Sequence, residues 1–592
     1  MIKSFAVPNS ESPGYSSTYR HPDYKDGTFN GKFADVTTLY EVFKAQVKNH
    51  PKENFLGARA YNPETNTFGG YEWLTTTDVD EMIDDYGSGL DQLFAKHAPD
   101  MNEETGQQPL GIFSNNRPEW ILTELTAFRS NRYSVGISDK AGAKSAEFYI
   151  SCSELEVLVC SMDKIPRLLE RIEHTPKLKV IISMDKLDCS KPTLFTRAFN
   201  TETIEELKSK AASLNIVLTD IDQVIQMGRA KPTEPMLPKP STYCTLSFSS
   251  GSTGTQKEAK GVYGMLSRFA YKSKLNRVSS GGGFKHALWD WLIFGKISQL
   301  FGDRLRLVIT SAIGLNPDLQ NFFRVALSCN VIQGYGQTET IGVCFIQKTD
   351  DIFTGNIGVP SPGFDIRLRS IPDMGYVATD PQCPRGELMI RSRGILSGYY
   401  KAPEKTAEAM DGEWLATGDI ARLNPDGTLR IIDRMGNVIR TALGIYVELE
   451  PLEMIYGTHR LVDSMLIHGT LLAFDLVAIV VPNREAFVPW AQRIVGNNNT
   501  ELAELCKDKR VADAMTGELR ALGSRAKAPS KAVIGAVHLE PQAFGQIDRE
   551  FLTLSSKLRR FKIVQHYEAV INDLSQKMGN DIDLQMKTSG SS

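Results

Sequence analysis

Cysteine is scarce in this sequence. The 592 residues include eight cysteines, and no two of them form a Cys-x-x-Cys pair. This scarcity argues against a disulfide framework or a zinc ribbon and is typical of a protein from a reducing compartment. The eight are Cys152, Cys160, Cys189, Cys244, Cys329, Cys344, Cys383 and Cys506.

An excess of positive charge and a long apolar run are also missing. Lys and Arg number 67 against 70 Asp and Glu, which gives a net charge of -3. Such a chain has no broad cationic field to attract nucleic acid or membranes. The longest apolar run, residues 471–481, is interrupted by Asp475 and is too short to span a bilayer. We therefore expect no nucleic-acid partner and at most a peripheral membrane contact.

We expect neither a secretory signal at the start of this sequence nor an SKL-type peroxisomal signal at its end. The first residues, MIKSFAVPNSESPG, lack the apolar region of a secretory signal. The last three, Gly590-Ser591-Ser592, differ from an SKL-type peroxisomal signal. We expect a cytoplasmic protein, with the peroxisome as the alternative location.

What the sequence does contain is an ordinary globular composition and alternating strand and helix patterns. With 41% apolar and 23% charged residues, a chain of this length is expected to form two or more domains. Strand-like runs at 109–116, 155–161 and 179–185 alternate with helix-like segments, among them residues 78–96 and 118–128. This alternation predicts parallel sheets covered by helices, in which ligands bind at the carboxyl ends of strands.

The first candidate site is a loop dense in hydroxyls and glycines, SSGSTGTQK, residues 249–257. Its backbone N–H groups can surround phosphate oxygens, and its lysine can add positive charge. The spacing is not that of a Walker A loop, and the loop alone equally fits a solvated Ser/Gly linker. The residues concerned are Ser249, Ser250, Gly251, Ser252, Thr253, Gly254 and Lys257.

The second candidate is the segment QGYGQTET, residues 333–340. Its glycines let the backbone approach a ligand closely, and its tyrosine offers a ring for stacking on a base. Its threonine hydroxyl and glutamate carboxylate suit a hard cation such as Mg²⁺. The alternative is an ordinary glycine turn with an exposed glutamate. The residues concerned are Gly334, Tyr335, Gly336, Thr338 and Glu339.

The third candidate combines a Thr-Gly-Asp turn with an Asp-Arg pair. Asp419 closes the segment WLATGD, and Arg434 ends the segment IIDR. An aspartate after such a turn can accept hydrogen bonds from both ribose hydroxyls, and a nearby arginine can reach phosphate or ribose. Taken singly, such pairs are more often hairpin turns, as Asp426-Gly427 is predicted to be.

In this order, the segments resemble the adenylate-forming superfamily of acyl-CoA synthetases, luciferases and peptide-synthetase adenylation domains. Long-chain fatty acyl-CoA synthetases of the fungal type are the most similar group, also through GIFSNNRPEW. The resemblance extends from about residue 14 to residue 570. The segments that carry it are SSGSTGTQK, QGYGQTET, RGELMIRSRGILSGYYKAPEKTAEAM, DGEWLATGDIARLNPDGTLRIIDR and LTLSSKLRR.

The resemblance implies a role for each part of the ATP site. The loop 249–257 would hold the β- and γ-phosphates of ATP, and Tyr335 would lie against adenine. Thr338 would contact the phosphate region, and Glu339 would hold Mg²⁺. Asp419 would bind the ribose hydroxyls, assisted by the arginine of the IIDR segment.

The resemblance also implies the reaction. A carboxylate forms a mixed anhydride with AMP, and the thiol of coenzyme A then attacks the acyl carbon and releases AMP. Lys557 matches the C-terminal lysine that contacts the carboxylate during adenylation, where it and Mg²⁺ would offset the developing negative charge. A solvated lysine in a basic stretch is the alternative for Lys557.

Two departures from the family pattern lie near the phosphate loop. Either Lys257 or Lys260 could be the counterpart of a single family lysine, and Glu258 lies between them. After Val262, several tens of residues that gate the acyl channel in the family are absent. We interpret this as an internal deletion, which arose either by loss from the gene or by a wrong splice junction. We expect it to leave sheet edges unpaired and the chain poorly active.

Two further departures lie beyond Arg434. Met435-Gly436 stands at the hinge about which the family's small domain rotates, where the family tends to be basic. Residues 444–448 keep part of a Gly-Glu-Tyr-Val-Ala pattern that helps place the thiol cofactor. The second half-reaction is therefore less firmly predicted than the first.

We predict an α/β fold with a large N-terminal adenylation domain of parallel-rich sheets covered by helices, residues 1–434, and a small mobile α+β domain, residues 435–592. The predicted function is ATP- and Mg²⁺-dependent conversion of a long-chain fatty or related carboxylic acid, through acyl-AMP, to acyl-CoA. One alternative transfers the acyl group to a carrier protein in secondary metabolism. The other is a catalytically degenerate homologue that binds nucleotide or partners.

Overall fold

The structure is a computed structural model, and packing divides the chain into two compact units. The inserted unit comprises residues 30–249, and the split unit comprises residues 1–29 and 250–592. The predicted phosphate loop 249–257 and Lys557 lie outside the described residues. Those described are 3–27, 36–103, 105–139, 141–188, 190–247, 262–299, 304–311, 314–441, 446–469, 475–526, 528, 533–552 and 558–589.

The N-terminal arm belongs to the split unit. Its polar sequence has neither a helix nor a strand period, yet two short strands form in it, β1 (Phe5–Ala6) and β2 (Tyr19–Arg20). They pair with each other, and Tyr19 continues the ladder onto Ile366 of the unit's largest sheet. An arm without a period of its own is therefore ordered by adding strands to an existing sheet edge.

The inserted unit alternates strands and helices as its sequence predicts. Several helices begin with side-chain caps: Thr38 and Glu41 form a capping box at the first, and Thr75 and Asp78 form one at the second. Its elements are α1 (Leu39–Asn49), β3 (Asn54–Asn62), β4 (Thr67–Thr75), α2 (Thr76–His97), β5 (Pro109–Ser114), α3 (Pro118–Arg129), β6 (Tyr133–Ser138), α4 (Ala143–Cys152), β7 (Val157–Cys160), α5 (Ile165–Glu170), β8 (Val180–Ser183), α6 (Thr201–Ser213), β9 (Val217–Asp220), α7 (Ile221–Ala230) and β10 (Thr245–Ser247).

A parallel sheet forms the centre of the inserted unit. Its described strands are hydrogen-bonded in the order β10-β6-β5-β7-β8-β9, and every pairing is parallel. All residues of β5, β7 and β8 are buried, as expected for strands covered on both faces. The hairpin β3–β4 is separate from this sheet.

The split unit is richer in antiparallel strands. Its elements after the arm are α8 (Val262–Ser279), α9 (Ala287–Trp289), α10 (Gly295–Gln299), β11 (Leu307–Thr310), α11 (Pro317–Leu327), β12 (Asn330–Gln337), β13 (Gly342–Ile346), β14 (Val359–Pro360), β15 (Asp365–Arg369), β16 (Arg385–Arg391), α12 (Pro403–Ala409), β17 (Met410–Asp411), β18 (Trp414–Leu423), β19 (Leu429–Arg434), β20 (Val438–Arg440), β21 (Tyr446–Glu448), α13 (Leu449–Tyr456), β22 (Val462–His468), β23 (Leu476–Pro482), α14 (Arg484–Val495), α15 (Leu502–Lys507), α16 (Lys509–Arg525), β24 (Ile534–Leu539), α17 (Phe544–Ile547), α18 (Arg560–His566) and α19 (Glu568–Ser589).

Two sheets of the split unit position the residues of interest. The larger has the order β1-β2-β15-β16-β18-β17, with β19 also paired to β18. The other has the order β11-β12-β13-β14, in which β11 and β12 are parallel and the remaining pairs antiparallel. The hairpin predicted at Asp426-Gly427 joins β18 to β19, and Gly427 has a φ of +80°.

The chain after Arg434 packs around cores of its own. Strands β22, β23 and β24 form a sheet whose one side contacts α13, α14 and α16 in a buried apolar cluster. The other side packs against α18 and α19 in a second cluster. A small cluster of Tyr376, Ile420 and Val438 joins this part to the preceding strands. The predicted α/β class is confirmed, whereas the predicted boundary at 434 stays a prediction.

Short 3-10 turns and one π-helical turn complete the secondary structure. The 3-10 turns are Pro22–Tyr24, Met162–Lys164, Ile172–His174, Leu194–Thr196, Thr338–Thr340, Pro372–Met374, Met435–Asn437 and Arg549–Phe551, and the π turn is Asp290–Phe294. No helix among the described residues combines the length and apolar character needed to cross a membrane.

Candidate active site

Two glycines of β12 lie against the neighbouring strand β13. A Cβ atom on Gly336 would lie 1.7 Å from the carbonyl oxygen of Gly342, and one on Gly334 would lie 2.9 Å from Cγ1 of Val343. These distances leave no room for a side chain, so strand packing requires glycine at both positions. The sequence suggested glycine for close approach to a ligand. The described approach is between strands, and contact with a ligand stays a prediction.

The turn after β12, Thr338–Thr340, is a single 3-10 turn that carries Glu339. The N–H of Gln337 donates to Thr340 Oγ1 at 2.9 Å, and that hydroxyl donates to the carbonyl oxygen of Gln337 at 3.0 Å. Ile341 then has a φ of +54°, in the left-handed region that β-branched residues rarely adopt. Backbone strain of this kind costs about 1–3 kcal/mol and concentrates at functional sites.

Asp419 is the centre of a hydrogen-bonded group on β18, with only 3% of its surface exposed. Its Oδ2 accepts a hydrogen bond from Tyr335 Oη at 2.5 Å and another from Gln337 Nε2 at 2.7 Å. Arg434 lies opposite Asp419 in the β18–β19 pairing, and its Nε is 3.4 Å from Asp419 Oδ1. Side-chain donors of two neighbouring residues therefore converge on one oxygen of a buried carboxylate, and the arginine lies near the other. We call Tyr335, Gln337, Asp419 and Arg434 the Asp419 cluster.

Tyr335 is held on both its ring and its hydroxyl. Its ring meets that of Phe345 edge-on, with centroids 5.8 Å apart and planes at 72°. Burial, followed by the charge of Asp419, raises the pKa of Tyr335 well above its ordinary value. The hydroxyl therefore stays protonated and donates to the aspartate. The predicted stacking on adenine stays a prediction.

Neighbouring strands support the turn that precedes Asp419. Thr417 Oγ1 donates to the carbonyl oxygen of Leu388 at 2.8 Å. Glu387 Oε1 accepts a hydrogen bond from the N–H of Gly418 at 3.1 Å, while Arg369 Nη2 lies 2.5 Å from Glu387 Oε2. Gly418 has a φ of +70°, which glycine adopts without strain. A buried glutamate on β16 thus fixes the backbone beside the aspartate on β18.

Glu339 is half-buried and lies in contact with a second loop. Its Oε1 accepts a hydrogen bond from Tyr399 Oη at 2.9 Å, and its carbonyl oxygen accepts one from the N–H of Leu396 at 2.7 Å. The described part of the chain has no group of three or more His, Cys, Asp or Glu side chains that could hold a metal. A single carboxylate fits Mg²⁺, which is usually bound by one or two carboxylates together with substrate phosphates and water.

The structure brings together three of the predicted residues, Tyr335, Asp419 and Arg434. Thr338 is exposed and precedes Glu339 on the adjoining turn. Three further residues in contact with these side chains were not predicted from the sequence: Gln337, Glu387 and Tyr399. All three lie inside segments that carried the resemblance, so their position in those segments was the available signal.

A comparison with models of protein families matches this chain to the AMP-binding model, described as AMP-binding enzyme, over residues 43–278 and 287–400. These segments cover more than half of the chain. The chain belongs to the AMP-binding enzyme family. The predicted membership of the adenylate-forming superfamily is thereby confirmed, and the protein is an enzyme of the ligase class.

This AMP-binding enzyme is similar to acyl-CoA ligases along most of its length. It is 28% identical to the peroxisomal acyl-CoA ligase 891 of Penicillium brevicompactum, over 96% of this chain and 94% of the relative. It is 28% identical to the human long-chain-fatty-acid–CoA ligase 1, over 92% of this chain and 87% of the relative. The Penicillium alignment covers 678 positions, more than the 592 residues of this chain, so the relative carries residues that this chain lacks.

Solved structures share the fold of this AMP-binding enzyme. The adenylation domain of a carboxylic acid reductase from Segniliparus rugosus, in complex with AMP and a co-purified carboxylic acid, aligns with a TM-score of 0.65. That alignment has 20% identity and covers 91% of this chain and 94% of the other. The anthranilate CoA ligase AuaEII aligns with a TM-score of 0.59 at 15% identity, over 90% of this chain and 97% of the other.

Proposed function

We propose that this enzyme activates a long-chain fatty or related carboxylic acid in two steps. The carboxylate attacks the α-phosphorus of ATP, forms acyl-AMP and releases pyrophosphate. The thiol of coenzyme A then attacks the acyl carbon, the acyl–phosphate bond breaks, and AMP leaves. The names of the fungal and human relatives support this substrate class and this acceptor.

The observation that carries the proposal is the Asp419 cluster. Tyr335 and Gln337 donate to one oxygen of the carboxylate, while Arg434 approaches the other. An aspartate carboxylate oriented in this way is suited to accept hydrogen bonds from the two hydroxyls of a ribose. Such recognition of a nucleoside is what the adenylation step requires.

Other residues would act on the phosphates and the acid. Glu339 would hold Mg²⁺, with Thr338 beside it, and bound Mg²⁺ supplies positive charge that offsets charge on the phosphate oxygens. The loop 249–257 would surround the β- and γ-phosphates, and Lys557 would contact the substrate carboxylate. Both lie outside the described residues, so their roles rest on position in the family motifs.

The second step requires a change of domain position, with a boundary between Arg434 and Met435. The separate apolar clusters after Arg434 support this boundary. Besides the cluster of Tyr376, Ile420 and Val438, hydrogen bonds link the parts across it. Asp433 Oδ2 accepts one from the N–H of Glu450 at 3.0 Å, and Tyr376 Oη donates one to Glu448 Oε1 at 2.6 Å. Rotation of the small domain would break both hydrogen bonds.

Two mutations test the two-step scheme, one in the small domain at Lys557 and one at the hinge at Gly436. We expect Lys557→Ala to impair acyl-AMP formation but to spare thioester formation from supplied acyl-AMP. Gly436→Pro restricts the backbone at the hinge and should slow the alternation between steps. Equal damage to both half-reactions by Lys557→Ala would remove the assigned role from this lysine.

The acceptor has one alternative, a carrier protein. The partial match of residues 444–448 to the pattern that places the thiol cofactor is the observation that favours it. Supplying acyl-AMP with either coenzyme A or a phosphopantetheinylated carrier protein separates the two. We expect transfer of the acyl group to coenzyme A. If the acyl group is transferred only to the carrier protein, the carrier protein is the acceptor.

The deciding experiment is ATP–pyrophosphate exchange with a panel of carboxylic acids of different chain length. We expect exchange that depends on both a long-chain acid and Mg²⁺, and strong loss of exchange in Glu339→Gln with folding intact. Glu408→Gln is the matched control, because Glu408 is an exposed glutamate outside the site. Absence of exchange with every acid would favour a catalytically degenerate, nucleotide-binding protein.

The proposed location is the cytoplasm, with the peroxisome as the alternative. The peroxisomal label of the Penicillium ligase supports the alternative. A fluorescent fusion at the N-terminus, which leaves the C-terminal residues unblocked, distinguishes the two by its overlap with a peroxisomal marker.

A further inference from the structure

Tyr399 contacts the candidate metal ligand directly. Its hydroxyl donates to Glu339 Oε1 at 2.9 Å, across 60 residues of chain. The other oxygen, Oε2, accepts no hydrogen bond within the part of the chain that the structure describes.

The loop that carries Tyr399 is itself held in place. The N–H of Tyr399 donates to Thr406 Oγ1 at 2.8 Å, and that hydroxyl donates to the carbonyl oxygen of Ala402 at 3.2 Å. Gly398 has a φ of +158°, and a Cβ there would meet Thr406 Oγ1 at 3.2 Å. Three residues earlier than Tyr399, the N–H of Leu396 binds the carbonyl oxygen of Glu339. The loop therefore hydrogen-bonds to Glu339 at both its backbone carbonyl and its side-chain carboxylate.

We propose that Tyr399 is a positioning residue that orients the Glu339 carboxylate so that Oε2 is presented to the metal of bound MgATP. This inference rests on the proposed function, which assigns Mg²⁺ to Glu339. A half-buried carboxylate without this hydrogen bond would sample several orientations, and ordering it on metal binding would cost conformational entropy. Groups that orient a metal ligand in this way contribute to metal affinity without touching the metal.

Calorimetric titration with ATP, in Mg²⁺ and separately in EDTA, tests this inference independently of turnover. The measured quantity is the gain in ATP affinity that Mg²⁺ provides. We expect Tyr399→Phe to reduce that gain by about tenfold, the lower end of what loss of a ligand-orienting group costs. Metal-free ATP affinity should stay unchanged. Tyr400→Phe is the matched control, since Tyr400 is an adjacent, half-buried tyrosine, and it should retain the gain.

A double-mutant cycle then asks whether Tyr399 acts through Glu339. Glu339→Gln should remove most of the gain, and adding Tyr399→Phe to it should have no further effect. Thr406→Val provides a second variant, because it removes the hydroxyl that accepts from Tyr399 N–H without touching the Tyr399 side chain. It should reduce the gain in the same direction.

Three results would overturn the inference: an unchanged gain in Tyr399→Phe, an equal loss of metal-free ATP affinity, or an additive effect in the Glu339→Gln background. A wild-type enzyme whose ATP affinity does not respond to Mg²⁺ would also overturn it. The proposed function is judged separately by pyrophosphate exchange of the wild type. If the wild type catalyses exchange and Tyr399→Phe keeps the full gain in ATP affinity from Mg²⁺, only the role of Tyr399 is rejected and the proposed function stands.

Discussion

Two regions of the split unit lie on either side of strand β12. They differ in how many of their side chains are hydrogen-bonded or buried. On the side of β13, the Asp419 cluster has donors matched to acceptors, and its glycines allow close strand packing. On the other side, β11 is the last described strand of its sheet and pairs with β12 alone. Apolar side chains of β11 and of the helical segments before and after it are exposed, among them Trp291 at 80% and Ile309 at 55%.

We call these exposed apolar side chains the open face: Phe269, Leu288, Trp291, Ile309 and Phe322. They belong to β11 and to helical segments that follow Val262, where the sequence indicated a deletion. An edge strand with no further partner among the described residues, accompanied by exposed apolar side chains, is unusual in a stable monomer. The two regions therefore differ: the described side chains of the Asp419 cluster are hydrogen-bonded, whereas the open face leaves apolar side chains exposed.

The missing sequence itself should have the largest effect. We expect the transcript across codons 255–270 to contain further coding sequence, and the longer product to turn over a fatty acid much faster than this chain. The physical reason is that additional strands would pair β11 and cover the open face. A transcript that matches this chain, together with normal turnover of its product, would show that the open face is tolerated.

Within the Asp419 cluster, Asp419→Asn should weaken ATP binding by about hundredfold. It replaces a charged acceptor with a neutral one, and hydrogen bonds to charged groups contribute about 1.5–3 kcal/mol each. Calorimetric titration with ATP measures the effect, and Asp350→Asn, at an exposed position, is the control. Unchanged ATP affinity in Asp419→Asn would mean that the cluster is structural and not a nucleotide site.

The variant Gly336→Ala tests the close packing of β12 against β13. The added Cβ would force β12 from β13, and we expect a loss of about 2–3 kcal/mol in the free energy of unfolding, the upper range for overpacking. Urea denaturation measures it. Gly314→Ala is the control, because a methyl group added there would meet no atom within 4 Å, and it should change stability by less than about 0.5 kcal/mol.

Relief of backbone strain at Ile341 should have the opposite sign. Ile341→Gly removes the penalty for a left-handed β-branched residue, and we expect a gain of about 1 kcal/mol in unfolding free energy. Because Ile341 is exposed, little packing is lost with its side chain. A destabilised Ile341→Gly variant in urea denaturation would indicate that the side chain makes a contact that outweighs the strain.

The smallest effect on stability is expected at the open face. Ile309→Thr keeps a β-branched strand residue, and because Ile309 is exposed, the unfolding free energy should change by less than about 0.5 kcal/mol. Binding of an apolar dye such as ANS should fall. A loss above about 1 kcal/mol would mean that Ile309 is covered in solution, and the contrast between the two regions would then disappear.

Much of the fold followed from local sequence signals. The helix pattern of residues 78–96 corresponds to α2, and the pattern of residues 118–128 corresponds to α3, because caps and apolar spacing act within a few residues. The Asp426-Gly427 hairpin was predictable for the same reason, since a two-residue turn signal is local. The N-terminal arm was not, because its strands exist only through pairing with each other and with β15.

The sequence by itself determined the family and the main nucleotide-site candidates, since Tyr335, Asp419 and Arg434 stand in motifs whose order and spacing are specific. Only the tertiary structure decided which groups support them. Glu387 reaches the Thr-Gly-Asp turn through the pairing of β16 with β18, and Tyr399 reaches Glu339 across 60 residues through loop packing. Such contacts depend on three-dimensional proximity between distant segments, which no local pattern encodes.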